Sequence, residues 1–252
     1  LDDLYYDFIS YVNVVEDWGT VGMNVVFLNL GETERRDELN QMLGTFRTFE
    51  TALTASYGSK VSDNLALGLN VKFIYSHLAD QGTGQEKGSG VATDFALDIG
   101  MLYDIKDPIL RKNLTLGANL SNLGPKMSYI DRAQADPIPT NIRFGYAFKM
   151  DFDEYNSLTL VTDFNKDLIH YPDSASTADP FYKAVFSSWQ PIKVRTNALA
   201  DDEATYTNLS VLSQMTIGTG FEYWYNDLFA LRGGYFYENP NNGNRKYMTL
   251  GA

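Results

Sequence analysis

The chain has 252 residues, no cysteine, 20 Lys and Arg against 32 Asp and Glu, a net charge of -12 and a mean hydropathy of -0.26. The acidic surplus argues against a protein whose affinity rests on neutralising nucleic-acid phosphates, and no run of about eighteen apolar residues offers a transmembrane helix. The missing cysteines fit passage through an oxidising periplasm and equally an ordinary domain without them.

Eleven segments follow one another, each alternating large apolar residues with small or charged ones. They run about Tyr5 to Val15, Thr20 to Leu30, Phe46 to Tyr57, Asn64 to His77, Val91 to Tyr103, Leu114 to Leu123, Thr140 to Met150, Leu158 to Asn165, Met215 to Tyr225, Phe229 to Tyr237, and Tyr247 to the end. The fourth is the clearest: Leu65, Leu67, Leu69, Val71, Phe73 and Tyr75 share one face, while Ala66, Gly68, Asn70, Lys72 and Ser76 share the other. That is the period of two expected of a strand.

A soluble sandwich also alternates, but three features favour a bilayer. The segments reach about ten to thirteen residues, against roughly 5–6 for soluble strands, and a tilted membrane strand needs about that length. The polar face mixes Glu50, Lys72, Asp94, Asp98, Arg143, Lys149, Asp163, Glu222 and Arg232 with Gly, Ala, Ser and Thr, which suits a wet interior. Tyr57, Tyr75, Tyr103, Tyr223, Tyr225, Tyr235 and Tyr237 gather near segment ends, where headgroup-level aromatic girdles form. The predicted class is therefore all-β: a transmembrane, antiparallel, up-and-down β-barrel spanning residues 1–252 as one domain.

The connections alternate in length. Those at Glu16–Gly19, Val61–Asn64, Asp151–Asn156 and Asn226–Asp227 are short, and Asp104–Asn113 is intermediate. Gly31–Thr45, Ala79–Gly90, Gly124–Pro139, Ile169–Gln214 and Glu238–Lys246 are longer. Outer-membrane barrels place short turns in the periplasm and long loops outside. On that orientation the first segment descends from the exterior, so one strand is expected before Leu1 and two after Ala252. The chain then reads as truncated at both ends of a barrel of about fourteen strands.

Catalytic chemistry is not legible, and no enzyme activity, cofactor or metal site is expected. Ser76 and His77 are adjacent on a strand and so point to opposite faces. Asp94 and Asp98 are about 13 Å apart along a strand, too far for a carboxylate dyad; pairing of such charges with Lys72 or an Arg is the expectation. The run Gly82 to Gly90 lacks the order of a phosphate loop and reads as a plain loop. Lys72, Asp94, Asp98, Arg143, Lys149, Glu222 and Arg232 are taken as lumen-lining.

Three stretches carry family character: Ser121-Asn122-Leu123-Gly124-Pro125-Lys126, then Asp136 through Tyr146 (Asp-Pro-Ile-Pro-Thr-Asn-Ile-Arg-Phe-Gly-Tyr), then Phe221 through Glu238. They resemble the PorV/PorQ family of outer-membrane barrels, PorV most. The resemblance implies a FadL-like barrel in the type IX secretion system of Bacteroidota. Such a protein binds exported proteins through a C-terminal signal domain and carries them from a SprA/Sov-type translocon to a PorU-type attachment complex. Contacts with membrane lipid or lipopolysaccharide are implied as well, and the net charge of -12 leaves no nucleic-acid partner expected. The residues suited to protein contact are Tyr171, Phe181, Tyr182, Phe186 and Trp189 in the long connection after Leu168. These aromatics either anchor a partner or fold back over the barrel mouth. The alternative function is a FadL-like channel for hydrophobic small molecules.

Overall fold

The structure, a computed structural model, describes residues 4–37, 39–79, 90–107, 112–172, 177–195 and 205–252. The glycine-rich run after Ala79 lies almost wholly outside them. Strands in chain order are β1 (Tyr5–Val15), β2 (Gly19–Arg36), β3 (Met42–Lys60), β4 (Leu65–Ala79), β5 (Gly90–Asp107), β6 (Lys112–Leu123), β7 (Lys126–Met127), β8 (Asp136–Pro137), β9 (Asn141–Asp151) and β10 (Asn156–Asp167). A short helix α1 (Phe181–Ser187) follows, then β11 (Ile192–Arg195), β12 (Tyr206–Leu209), β13 (Thr216–Tyr225), β14 (Phe229–Tyr237) and β15 (Lys246–Gly251). Eleven of the strands form one antiparallel sheet in the order β1-β2-β3-β4-β5-β6-β9-β10-β13-β14-β15, so neighbours in sequence are neighbours in space. The remaining four make two small hairpins, β7–β8 and β11–β12, inside connections.

Register assigns every side chain to a face. Thr54 lies opposite Lys72, Lys72 opposite Ala96, Gly100 opposite Asn119, Asn119 opposite Arg143, and Glu222 opposite Arg232. One face therefore collects the polar and small residues, and the other collects the Leu, Phe, Val and Tyr rows. The polar face is the enclosed one: Asp98 is 5% exposed, and Ala92, Ala96, Thr54, Ser76 and Asp94 are also buried. Across the wall Phe95 is 62% exposed, in company with Leu53, Leu69, Val71, Ile99, Leu160, Phe221 and Leu231. A soluble protein buries its apolar rows; this one turns them outward, as a wall standing in lipid must.

The sheet curls around its polar face. A cavity of about 750 Å³ on that face is lined from Thr20 on β2 to Asp163 on β10. Those seven adjacent strands would span about 29 Å if flat, so only strong curvature brings both ends to one cavity. Small residues make the room: Gly58, Gly68 and Gly100 stand in one cross-strand row, and Gly117 faces Gly145.

Aromatic rings border the apolar band at both ends. Phe27, Phe49 and His77 stack in series on the outer face of β2–β4, with Tyr5 tilted against Phe27 and Tyr75 also against Phe49. At the opposite end Trp18 and Tyr57 meet, and the Tyr57 hydroxyl donates to the Trp18 carbonyl at 2.6 Å. The eleven-residue run from Tyr75 down to Leu65, tilted as barrel strands are, gives a band of about 25 Å, the height of a transmembrane apolar belt. Among the described residues no helix is long and apolar enough to cross a membrane. The fold is the wall of an up-and-down transmembrane β-barrel.

Connection lengths hold with two corrections. The stretch read as a long loop at Gly31–Thr45 is mostly ladder, since β2 and β3 stay paired out to Arg36 and Met42. Its polar residues need no lipid, and Arg36 pairs with Glu34 at 2.6 Å and Arg47 with Glu32 at 3.4 Å. Asp37 accepts from the amides of Leu39 and Gln41 to turn the chain. The intermediate connection is also shorter, because β5 continues to Asp107 and β6 begins at Lys112. At the β13–β14 turn, Asn226 and Asp227 both hold positive φ, a conformation those residue types tolerate.

Leu160 and Val161 are adjacent, 40% and 39% exposed, and on opposite faces. Leu160→Arg places a charge in lipid and is expected to cost about 2–4 kcal/mol of folding free energy into vesicles. Val161→Arg faces the interior and is expected to change it little. Denaturant titration of both variants in lipid measures the difference.

Candidate functional site

The described part of the long connection between β10 and β13 is built around one carboxylate. It leaves β10 through Leu168, which is buried and whose amide donates to the Thr140 carbonyl at 2.7 Å. The Asp179 amide donates to the His170 carbonyl at 2.7 Å. The buried Asp179 side chain accepts from Lys183 Nζ, His170 Nδ1 and Ser187 Oγ, each at 2.7 Å. The His170 Nε2 in turn meets the Gln190 amide. One acid thus binds the end of β10 to the first and last turns of α1. The Lys183 ammonium, His170 and Ser187 together hold the Asp179 carboxyl well below the usual carboxylate range.

This clasp matters because a seven-residue helix has little stability alone. Pro180, with φ -64°, starts it, and the amides of Lys183 and Ala184 both reach the Pro180 carbonyl at 2.9 Å. Ala184 and Ser188 are buried beneath it. Tyr182, Phe186 and Trp189 fall at i, i+4 and i+7, and all three are exposed, Phe186 at 80%. Trp189 is a brace rather than a free ring: its indole donates to the Val185 carbonyl at 2.9 Å, and Lys166 Nζ lies 5.9 Å from the ring. Phe181 is half-buried and meets Tyr182 edge-on at 5.6 Å. Tyr171 is exposed beside the root of the connection. Gln214 fixes the far side, donating to the carbonyls of Gln190 and Leu209 and accepting from Lys166 Nζ at 2.8 Å.

Lys72, Asp94, Asp98, Arg143, Lys149, Glu222 and Arg232 all stand on the concave face by register. The structure pairs Lys72 with Asp98 at 2.7 Å and Arg232 with Glu222 at 2.5 Å, while Lys149 lies 3.3 Å from Asp151. Asp94 differs: its carboxylate accepts from the Phe95 amide, with no Lys or Arg beside it among the described residues. Arg143 borders both the 750 Å³ cavity and a second, polar one of about 520 Å³. Sequence reasoning missed α1 and its clasp, although Asp179-Pro180 ahead of the aromatic run is a helix-start signal.

Ser76 and His77 do lie on opposite faces. Ser76 donates to Glu50 at 2.8 Å, and the His77 Nδ1 meets the Arg47 carbonyl. Ser187 donates to Asp179 rather than to the His170 ring. Among the described residues no group of three or more His, Asp or Glu side chains is placed to hold a metal ion.

An apolar-out, polar-in antiparallel wall with its long connections at one end defines an outer-membrane β-barrel. Residues 1–174 match the family described as type IX secretion system protein PorV, and the chain belongs to that family. It is a component of the type IX secretion system in the outer membrane. No curated protein matches the chain. Two solved structures share its backbone path in part. One is the toluene transporter TodX of Pseudomonas putida, at 13% identity and a TM-score of 0.46, covering 97% of this chain and 72% of that one. The other is the TodX deltaS2S3 mutant, a monoaromatic hydrocarbon channel, at 14% identity and a TM-score of 0.45, covering 99% and 69%.

Asp179→Asn removes the charge that three donors share. Amide hydrogen exchange across residues 180–188 is expected to accelerate strongly while exchange in β3–β5 stays unchanged. In the unaltered chain the clasp follows the acid's titration. A depressed carboxyl contributes its stability above the ordinary Asp value of 3.8 and loses it progressively as pH falls from there through the lower folded-state value. Protection of α1, corrected for intrinsic exchange, is therefore expected to be insensitive to Asp179 from neutral pH down to about 4 and to fall below that.

Proposed function

We propose that this protein binds exported proteins through their C-terminal signal domains and carries them from the translocon to the surface attachment complex. The observation that carries the reading is the exposed aromatic row on α1. Tyr182 and Phe186 are both exposed on a helix that a buried acid holds in place. Rigid aromatics presented to solvent suit a partner's apolar surface, because little conformational entropy is lost on contact. In this reading the connections containing α1 face the cell surface, Trp189 and Phe181 support the row, and Tyr171 lies at its border. A SprA/Sov-type translocon and a PorU-type attachment complex are the proposed partners, and the protein acts by binding rather than by catalysis.

A second reading, a FadL-like channel, has one feature in its favour: the cavity of about 750 Å³, with glycines and alanines prominent among its lining residues. Its wall also carries Lys60, Arg143 and Asp163, which an apolar solute must pass.

The double variant Tyr182→Ser, Phe186→Ser is expected to weaken capture of a purified cargo signal domain by about thirtyfold or more, the loss of a hot-spot pair. Heat-modifiable migration of the barrel should not change. Capture at unaltered strength by the folded double variant would remove α1 from the contact surface.

A further inference from the structure

The connection from β6 to β9 does not take the short route. Ser121 on β6 pairs directly with Asn141 on β9, so a tight turn would join them. Instead residues 124–140 bend into the concave side and form their own hairpin, with Lys126 opposite Pro137 and Met127 opposite Asp136. The Tyr129 hydroxyl donates to Ser76 Oγ at 2.9 Å on β4, two strands from β6, and Ser76 passes the chain of bonds on to Glu50 on β3.

Both roots of this segment are tied to the inner wall. Asn122 adopts φ 57°, and its amide donates to Asp98 Oδ1 at 2.8 Å. Its side-chain oxygen accepts from Lys72 Nζ at 2.9 Å, and its Nδ2 donates to the Pro139 carbonyl at 3.0 Å. Thr140 Oγ1 closes the ring on the Asn122 carbonyl at 2.7 Å. Asp98 is satisfied on both oxygens, by Asn122 on one and by Asn70 and Lys72 on the other. Gly124 sits so close to β5 that any side chain there would collide with the Phe95 carbonyl and with Ile138. Ile138 is buried, as are Ser76, Ala92, Ala96 and Asp94 on the wall. At the other end of the same face, around Gly58, Gly68 and Gly100, the wall opens onto the large cavity.

We propose that residues 124–140 are an internal strap that closes the lumen along β3–β5, so that the barrel is a sealed scaffold and passes no solute while the strap is docked. No cysteine occurs among these 252 residues, so a single introduced cysteine is distinguishable within them. In detergent, Ala92→Cys is expected to react slowly with a hydrophilic maleimide and Gly68→Cys quickly. Adding Tyr129→Phe to Ala92→Cys should raise its labelling rate about tenfold, the effect of one lost hydrogen bond on a local opening, and leave Gly68→Cys unchanged. In planar bilayers the unaltered protein is expected to be silent, and a variant with residues 126–137 replaced by Gly-Gly is expected to conduct. Equal labelling of the two cysteines without the Tyr129 change would overturn the strap, as would silence of the folded, heat-modifiable strapless variant. Should the strapless variant not fold, the labelling comparison decides alone.

Discussion

Inside a bilayer no water is available to an unpaired peptide group, so each spanning amide and carbonyl must find its partner within the protein. A ladder of antiparallel strands answers that need, and it fixes much else here. Each side chain is assigned by register to lipid or to the interior, which is why Leu160 and Val161, neighbours of equal exposure, live in different solvents. Charges that no lipid-facing position could hold gather on the concave side and pair across strands, Lys72 with Asp98 and Arg232 with Glu222.

Once the wall is fixed, the connections at its open end are free to specialise, and they do so by opposite means. The β10–β13 connection sends aromatics outward, and a buried carboxylate holds it by three side-chain donors. The β6–β9 connection turns inward and spends its polar side chains on the barrel's own interior, with Asn122 as the hub. Both use the same physics. A polar group shielded from water and fully bonded is costly to disrupt, so a single Asp or Asn sets the path of a whole segment. The β14–β15 connection repeats the device on a smaller scale: the buried Glu238 accepts from Arg245 Nε and Nη2 at 2.8 and 2.9 Å, which lowers the carboxyl's pKa.

Membership of a secretion family is compatible with the closed interior proposed above. A protein that hands folded cargo along the cell surface needs a rigid outer wall and an exposed contact surface, not a conduit. On the two proposals made above, the in-turned segment guards the permeability barrier that an empty barrel would breach, and α1 offers the surface that a partner reads.

The sequence by itself determined the wall. Period-two alternation in segments such as Leu65 to Tyr75 located all eleven sheet strands, because side-chain direction in a strand depends only on parity. It also placed the seven charged residues on one face. What it could not show were contacts between residues far apart in the chain: Tyr129 with Ser76, Asn122 with Lys72, His170 with Asp179. Nor could it show that β2 and β3 stay paired beyond the apolar band, since polar residues such as Glu32 and Arg47 look the same in a ladder as in a loop. Those features depend on where the curved sheet brings its strands and connections together, and only the tertiary structure decides that.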